Sequence, residues 1–233
     1  MLVKFVMVLV RSESYKSWRR NLKIEILNTD PGHPINPYLK KLVEKLEHDH
    51  SITIIRSQKQ ITDGDLLFLI SCNEFVDRKA TERFKHALVV HASDLPKGRG
   101  WSPHIWELLN GADCITMSLL DAAAAIDRGD IYKKITVEIP RSALWNEIND
   151  LIFVAEIQLI EFAIQNFGNL KKYPQNSNIE ATYYSKRSPA DSEIDPNKPI
   201  SEQFDLMRVC DPTRFPAHFH YRDVAYKIIL EKL

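Results

Sequence analysis

The sequence predicts an α/β protein: a mostly parallel sheet with helices on both faces, followed by a small C-terminal α+β appendage. Three observations carry this expectation. Short apolar, β-branched runs such as residues 51–55 and 65–70 alternate with segments whose apolar residues have helical spacing, and the connections are short. His91 stands at the end of one such run, beside the polar turn S-D-L-P-K-G-R-G, where open sheets of the Rossmann-like kind place their ligands. After Gly168 the chain turns polar and proline-rich, so residues 1–168 are expected to form the core and residues 169–233 a separate small subdomain.

The totals narrow the function. Among 233 residues the apolar fraction is 44% and the charged fraction 27%, enough for a sizeable core. Lys+Arg and Asp+Glu are 31 each, so no net field draws the chain to nucleic acid, and nucleic acid is not an expected partner. Cys72, Cys114 and Cys210 are odd in number and lack C-x-x-C spacing, which argues against a disulfide framework or a cysteine zinc site. A reducing, cytoplasmic compartment is expected. No run reaches the roughly 18 apolar residues of a membrane span.

Leu2 to Val10 is a continuous apolar run, read as a buried strand instead of a signal peptide because Lys4 interrupts it and no small-residue cleavage site follows. It ends at Arg11 and Ser12, without the glycines of a dinucleotide loop. Leu22–Leu27 is a second short strand. Asn36 and Pro37 open a helix with Leu39, Leu42, Val43 and Leu46 on one face. Strands follow at Ser51–Ile55 and Asp65–Ile70, a helix at residues 78–86, and a strand at Ala87–Val90. Ser102 before Pro103 marks the next helix start. Strands at residues 114–120 and 130–139 lead to a long helix from about Ser142 to Phe167, stopped by Gly168. In the tail, Ser201 is expected to cap a short helix, and residues 224–233 alternate as a terminal strand.

The chemistry is expected around His91 and Asp127. They lie 127 − 91 = 36 residues apart, each in its own loop. The bland alternatives are a histidine that only bridges backbone groups and an aspartate that only caps the turn I-D-R-G-D. Lys97 to Gly100 offers two cations and two unobstructed glycine amides, which suits a phosphate or a glutamate tail. Arg208 and Phe215 serve either as substrate contacts or as interdomain contacts.

The stretch H-A-S-D-L-P-K-G-R-G-W-S-P, followed by D-R-G-D-I, resembles the core of the folate-dependent formyltransferases, whose motif is N-x-H-x-S-x-L-P-x-x-R-G with a second acid in L-D-x-G-D-I. The tail segments Y-S-K-R-S-P-A-D-S-E-I-D and F-D-L-M-R-V-C-D-P-T-R-F-P-A-H-F resemble the C-terminal part of the nucleotide-sugar N-formyltransferases. The resemblance spans about Leu66 to the end. One departure stands out: the family's asparagine, two residues before the histidine, is Val89 here. That asparagine donates to the developing oxyanion, and loss of such a donor costs ~10²–10³ in rate. The replacements expected are Ser93, the Asn73 side chain and the N–H groups of residues 71–73.

The resemblance implies N10-formyltetrahydrofolate as formyl donor and a primary amine on a nucleotide-linked amino deoxysugar as acceptor, in surface polysaccharide or glycan synthesis. His91 would take the proton of the attacking amine, and Asp127 would orient it. The pterin would lie against Leu69, Ser71, Cys72 and Asn73, and against Ala124 and Ile126 before Asp127. Cations from Arg11, Lys97, Arg99 and Arg208 would meet the diphosphate, with Ser93 and Phe215 also at the acceptor. No metal is required. A homodimer through an apolar tail face fits the composition. The competing expectations are a non-catalytic binding module on the same fold and formylation of methionyl-tRNA or another amine.

Overall fold

The computed structural model describes residues 21–122 and 125–233; the expected Leu2–Val10 strand, Arg11 and Ala124 lie outside them. The central sheet has six strands: β1 (Lys23–Leu27), β2 (Ser51–Ile55), β3 (Gly64–Leu69), β4 (Phe84–His91), β6 (Cys114–Asp121) and β7 (Ile131–Glu138), in the order β2-β1-β3-β4-β6-β7. The first four run parallel, and β6 and β7 extend the sheet antiparallel. The two-residue β5 (Arg99–Gly100) lies apart, beyond β4. The architecture is therefore α/β with a mostly parallel sheet, as the alternating runs predict.

The strands are apolar on both faces, but unequally. Ile24, Ile26, Leu66, Phe68, Ile70, Leu88 and Leu119 face the main core, which helices α1 (Asn36–Leu46) and α4 (Trp145–Gln165) cover. Leu27, Leu67 and Ala87 point the other way into a smaller cluster with Ile55, Ile61, Phe84 and Ala80 of α2 (Arg78–Thr81). The period of two along each strand therefore assigns Val89 and His91 to the lesser face, away from α4.

Four element boundaries depart from expectation. Residues 78–86 form only the single turn α2, capped by Asp77, because Gly64 pairs with Phe84 and pulls residues from 84 on into the sheet. Helix α4 starts at Trp145, after Leu144, whose N–H donates to the Glu147 carboxylate at 2.8 Å. Helix α5 (Ile200–Arg208) starts before Ser201, with Pro199 as its N-cap. The terminal strand stops early, as β10 (Val224–Ile228), and pairs with β9 (Ala217–Tyr221), which the alternation did not announce. Arg222 and Asp223 turn the hairpin with φ of 51° and 65°, a type I′-like geometry that usually carries Asn-Gly.

Glu156 lies in the main core and is 5% exposed. Burial pushes its carboxyl up to about 8. The unfolded group titrates near 4.5, so between these values the unfolded chain has released a proton that the folded chain keeps. Stability from this residue is fully present below the lower value and is lost as pH rises through the upper one. Glu156→Gln is expected to melt like the parent near pH 4 and to be more stable, on the order of a few kcal/mol, above pH 8. Thermal melts across that window check it; equal pH slopes for the two proteins would refute it.

Among the described residues no helix is long and apolar enough to cross a membrane.

Candidate functional site

The site forms where the parallel strands end. Strand β4 delivers His91 to its last position, and the antiparallel partner β6 places Ser118 opposite it. The Ser118 hydroxyl donates to the Ser93 carbonyl at 2.7 Å, pinning the first turn of the loop after His91. That loop then folds back, and His91 Nε2 lies 2.8 Å from the Gly98 carbonyl. A carbonyl only accepts, so Nε2 donates in this contact and Nδ1 is the ring nitrogen left to face the site. His91 Nδ1 faces Asp127 Oδ1 at 3.6 Å, with the two side chains 9% and 7% exposed.

Asp127 is fixed as firmly. Its backbone is left-handed, with φ of 55°, a conformation that aspartate tolerates better than most residues. Its Oδ2 accepts the Gly100 N–H at 2.9 Å. Gln175 donates through Nε2 to the carbonyls of Asp127 at 2.8 Å and Gly129 at 2.9 Å. Gly129 is required where it stands: an added Cβ would lie 1.8 Å from the Asp121 carbonyl oxygen.

A strap from the tail pairs with the loop that follows His91. Strand β8 (Tyr183–Tyr184) pairs with β5 in parallel. The Thr182 hydroxyl accepts the Gly98 N–H at 2.8 Å and its carbonyl the Arg99 N–H at 2.9 Å. Arg99 and Arg128 both donate to the Tyr183 hydroxyl at 3.0 Å, and these bonds pull the phenol below its ordinary pKa.

Three titratable groups line the surroundings. Helix α3 (Pro103–Leu109) carries His104, whose Nδ1 is closed to solvent with no partner among the described residues. Burial, with His91, His33 and Arg187 as charged neighbours, pushes His104 down to about 4. His33, after β1, is pushed down to about 4 by burial and by Arg214. Glu107, under the Ser93–Gly98 turn, is pushed up to about 7 by burial and then by Asp94.

The residues expected at the cofactor are brought to the same strand ends. Leu69 ends β3, Ser71 has φ of 48°, and Cys72 Sγ donates to the Glu74 carbonyl at 3.2 Å. Burial raises the Cys72 thiol pKa. The Asn73 N–H donates to Thr29 Oγ1 at 2.8 Å, tying this loop to the one after β1. Ile126 is exposed on the turn before Asp127.

Two expected acceptor contacts need correction. Arg208 is only 2% exposed; it pairs with Asp205 at 2.6 Å and donates to the Ala143 carbonyl at 3.3 Å. It joins α5 to the start of α4 and has no open face for a phosphate. Ser93 is wholly buried and its hydroxyl reaches no partner among the described residues, and the returning Gly98 packs against it. Arg99 donates to Gln175 at 2.5 Å and to Tyr183, and its Nε has no partner among the described residues. Lys97 remains exposed at the loop tip. Phe215 is half-exposed and lies 5.7 Å from the Arg214 guanidinium, which pairs with Asp30 after β1.

Sequence reading missed Gln175, Thr182, Tyr183 and His104. The first three sit in a polar segment without periodicity, and their roles depend on a contact about 80 residues distant in the chain. Two surface clefts, of about 300 and 410 Å3, are lined by neither His91 nor Asp127.

No protein-family model matches the chain. Among curated relatives, it is 27% identical to a methionyl-tRNA formyltransferase of Clostridium acetobutylicum over 187 residues, 79% of this chain and 59% of that protein. It is 30% identical to the Streptococcus agalactiae enzyme of the same name over 147 residues, 62% of this chain and 47% of that protein. The chain thus spans about half the length of the curated relatives it matches. Among solved structures, a methionyl-tRNA formyltransferase from Clostridium thermocellum superposes with a TM-score of 0.75 at 21% identity, covering 91% of this chain and all of that one. HypX from Aquifex aeolicus, in complex with tetrahydrofolic acid, gives 0.73 at 17%, covering 88% of this chain and 37% of that one. A sugar N-formyltransferase from Shewanella gives 0.67 at 16%, covering 90% and 97%. By its sheet order and its superposition on these structures, the chain has the fold of the formyltransferases.

Proposed function

We propose that the chain transfers a formyl group from N10-formyltetrahydrofolate to the primary amine of a nucleotide-linked amino sugar. The observation that carries this reading is the His91–Asp127 pair, with each partner pinned by backbone: Nε2 to the Gly98 carbonyl and Oδ2 to the Gly100 N–H. The tetrahydrofolate complex of HypX, on the same fold, supports a folate donor.

In this reading the donor supplies the formyl carbon and the chain handles position and protons. His91 Nδ1 takes the proton that the attacking amine releases. The Asp127 carboxylate, 3.6 Å from that nitrogen, faces the N–H⁺ that the transfer creates there. The proton then leaves with the departing folate nitrogen, and no net charge is produced. Val89 supplies no oxyanion donor. With the Ser93 hydroxyl buried and the Asn73 N–H bound to Thr29, the donors assigned are the Asn73 side-chain amide and the N–H groups of Ser71 and Cys72. The pterin lies against Leu69, Ser71, Cys72 and Ile126, and Lys97 and Phe215 meet the acceptor. Residues 1–168 carry the chemistry, and residues 169–233 supply the strap.

A sugar acceptor is preferred because Lys+Arg and Asp+Glu balance at 31 each, which gives no extended positive field for tRNA. The second reading, methionyl-tRNA as acceptor, is favoured by the names of the curated relatives. The deciding experiment offers N10-formyltetrahydrofolate with UDP-, dTDP- and GDP-linked amino sugars and, separately, with methionyl-tRNA, and reads formylated product by mass spectrometry. Product from one sugar is expected. Product from methionyl-tRNA alone would replace the acceptor, and folate binding without product from either would leave a binding module.

A further inference from the structure

Away from the formyl-transfer site, the tail brings together three ligand-type side chains that the proposed chemistry does not use. His218 and His220 are two apart on β9 and so share one face of the strand. Glu193 follows a 3₁₀ turn at Pro189–Ser192 and is held beside that strand by a parallel bridge to His218. The Ile194 N–H donates to the His218 carbonyl at 2.8 Å, so the register of carboxylate against imidazoles is set by backbone. One ligand atom from each of the three lies within 4.8 Å of the others.

We propose that Glu193, His218 and His220 form a divalent-metal site of the zinc class. Two imidazoles and one carboxylate are a borderline-soft donor set of the kind that holds Zn2+ with a further position left for water. Around one zinc, ligand atoms at about 2.0–2.2 Å from the ion stand about 3.3 Å from one another. His220 Nδ1 and Glu193 Oε1 are already 3.0 Å apart. His218 Nδ1 lies 3.3 Å from the Pro216 carbonyl. A proton donated there leaves Nε2 with the lone pair, and a backbone carbonyl on the far ring nitrogen is the usual outer support of a metal-bound histidine.

The site has a structural task. The tail's own buried cluster is small, comprising Ile194, Met207, Cys210 and Ala217, and such a core gains from a staple. A metal on these three residues ties the segment before α5 to the hairpin, closing a loop of 27 residues between Glu193 and His220. The ion stabilises the folded tail by binding it and not the open chain.

The test is independent of formyl transfer. Zn2+ is titrated by calorimetry into the full chain, first stripped with a chelator, and amide exchange of residues 193–228 is followed with and without the ion. One equivalent is expected to bind and to slow exchange in that segment. His218→Ala, His220→Ala and Glu193→Gln are each expected to weaken binding by at least the ~10–100-fold that loss of an outer partner costs. Circular dichroism confirms that each variant is folded, and Glu193→Gln keeps a hydrogen-bonding oxygen while losing the charge. Absence of stoichiometric Zn2+ binding, or binding unchanged in the His218→Ala, His220→Ala double variant, overturns the proposal.

Discussion

His91→Ala is expected to lower formyl transfer by ~10²–10⁴ while leaving the fold intact, the usual contribution of a positioned acid–base group. The size follows from how the ring is held. Nε2 is occupied by the Gly98 carbonyl at 2.8 Å, and Nδ1 faces Asp127 at 3.6 Å, so a single nitrogen is available to take a proton. No other imidazole replaces it: His104 and His33 are pushed down to about 4 and are poor bases at neutral pH. Asp127→Asn keeps an oxygen for the Gly100 N–H but removes the carboxylate charge that faces His91 Nδ1, and a loss of about 10²-fold is expected. Single-turnover kinetics on the acceptor identified by the panel, together with melts of both variants, make the comparison. Activity within a few-fold of the parent in His91→Ala would sink the assignment of the base.

Gly129→Ala is expected to strike the site from a distance. Its new methyl would lie 1.8 Å from the Asp121 oxygen and 2.7 Å from the Asp121 carbonyl carbon, both backbone atoms. Backbone cannot swing aside as a side-chain tip does, so the chain must move where Asp121 and Gly129 approach. That movement breaks the Gln175 bond to the Gly129 carbonyl and, with it, the clamp on Asp127. A stability loss of about 1–3 kcal/mol and an activity loss close to that of Asp127→Asn are expected. Gly168→Ala is the control: nothing lies within 4 Å of its added Cβ, and stability should hold. Melting and turnover of the two alanine variants test the pair. Equal behaviour would mean that the close approach at Gly129 has no consequence.

The elements that were legible in the sequence are those encoded by near neighbours. The apolar runs at Ser51–Ile55 and Gly64–Leu69, the amphipathic α1 and the long α4 needed only local patterns of apolar side chains. His91 at a strand end and Asp127 in a turn could be singled out for the same reason. Contacts distant in sequence were not legible. Phe84 belongs to β4 and not to α2 because a strand about twenty residues earlier pairs with it, and β9 exists because β10 returns along it.

The sequence by itself determined the alternation of apolar runs, hence the layered α/β architecture, and the chemical types available at the strand ends. Only the tertiary structure decided which of those groups are free to act. Arg208, a cation that reads as a phosphate ligand, is spent on Asp205 and the Ala143 carbonyl inside the protein. The Ser93 hydroxyl is shut beneath Gly98. The physical reason is that a charged or polar side chain acts on a ligand only through surface and hydrogen-bonding capacity that the fold has not already used. Both are settled by packing between segments far apart in the chain.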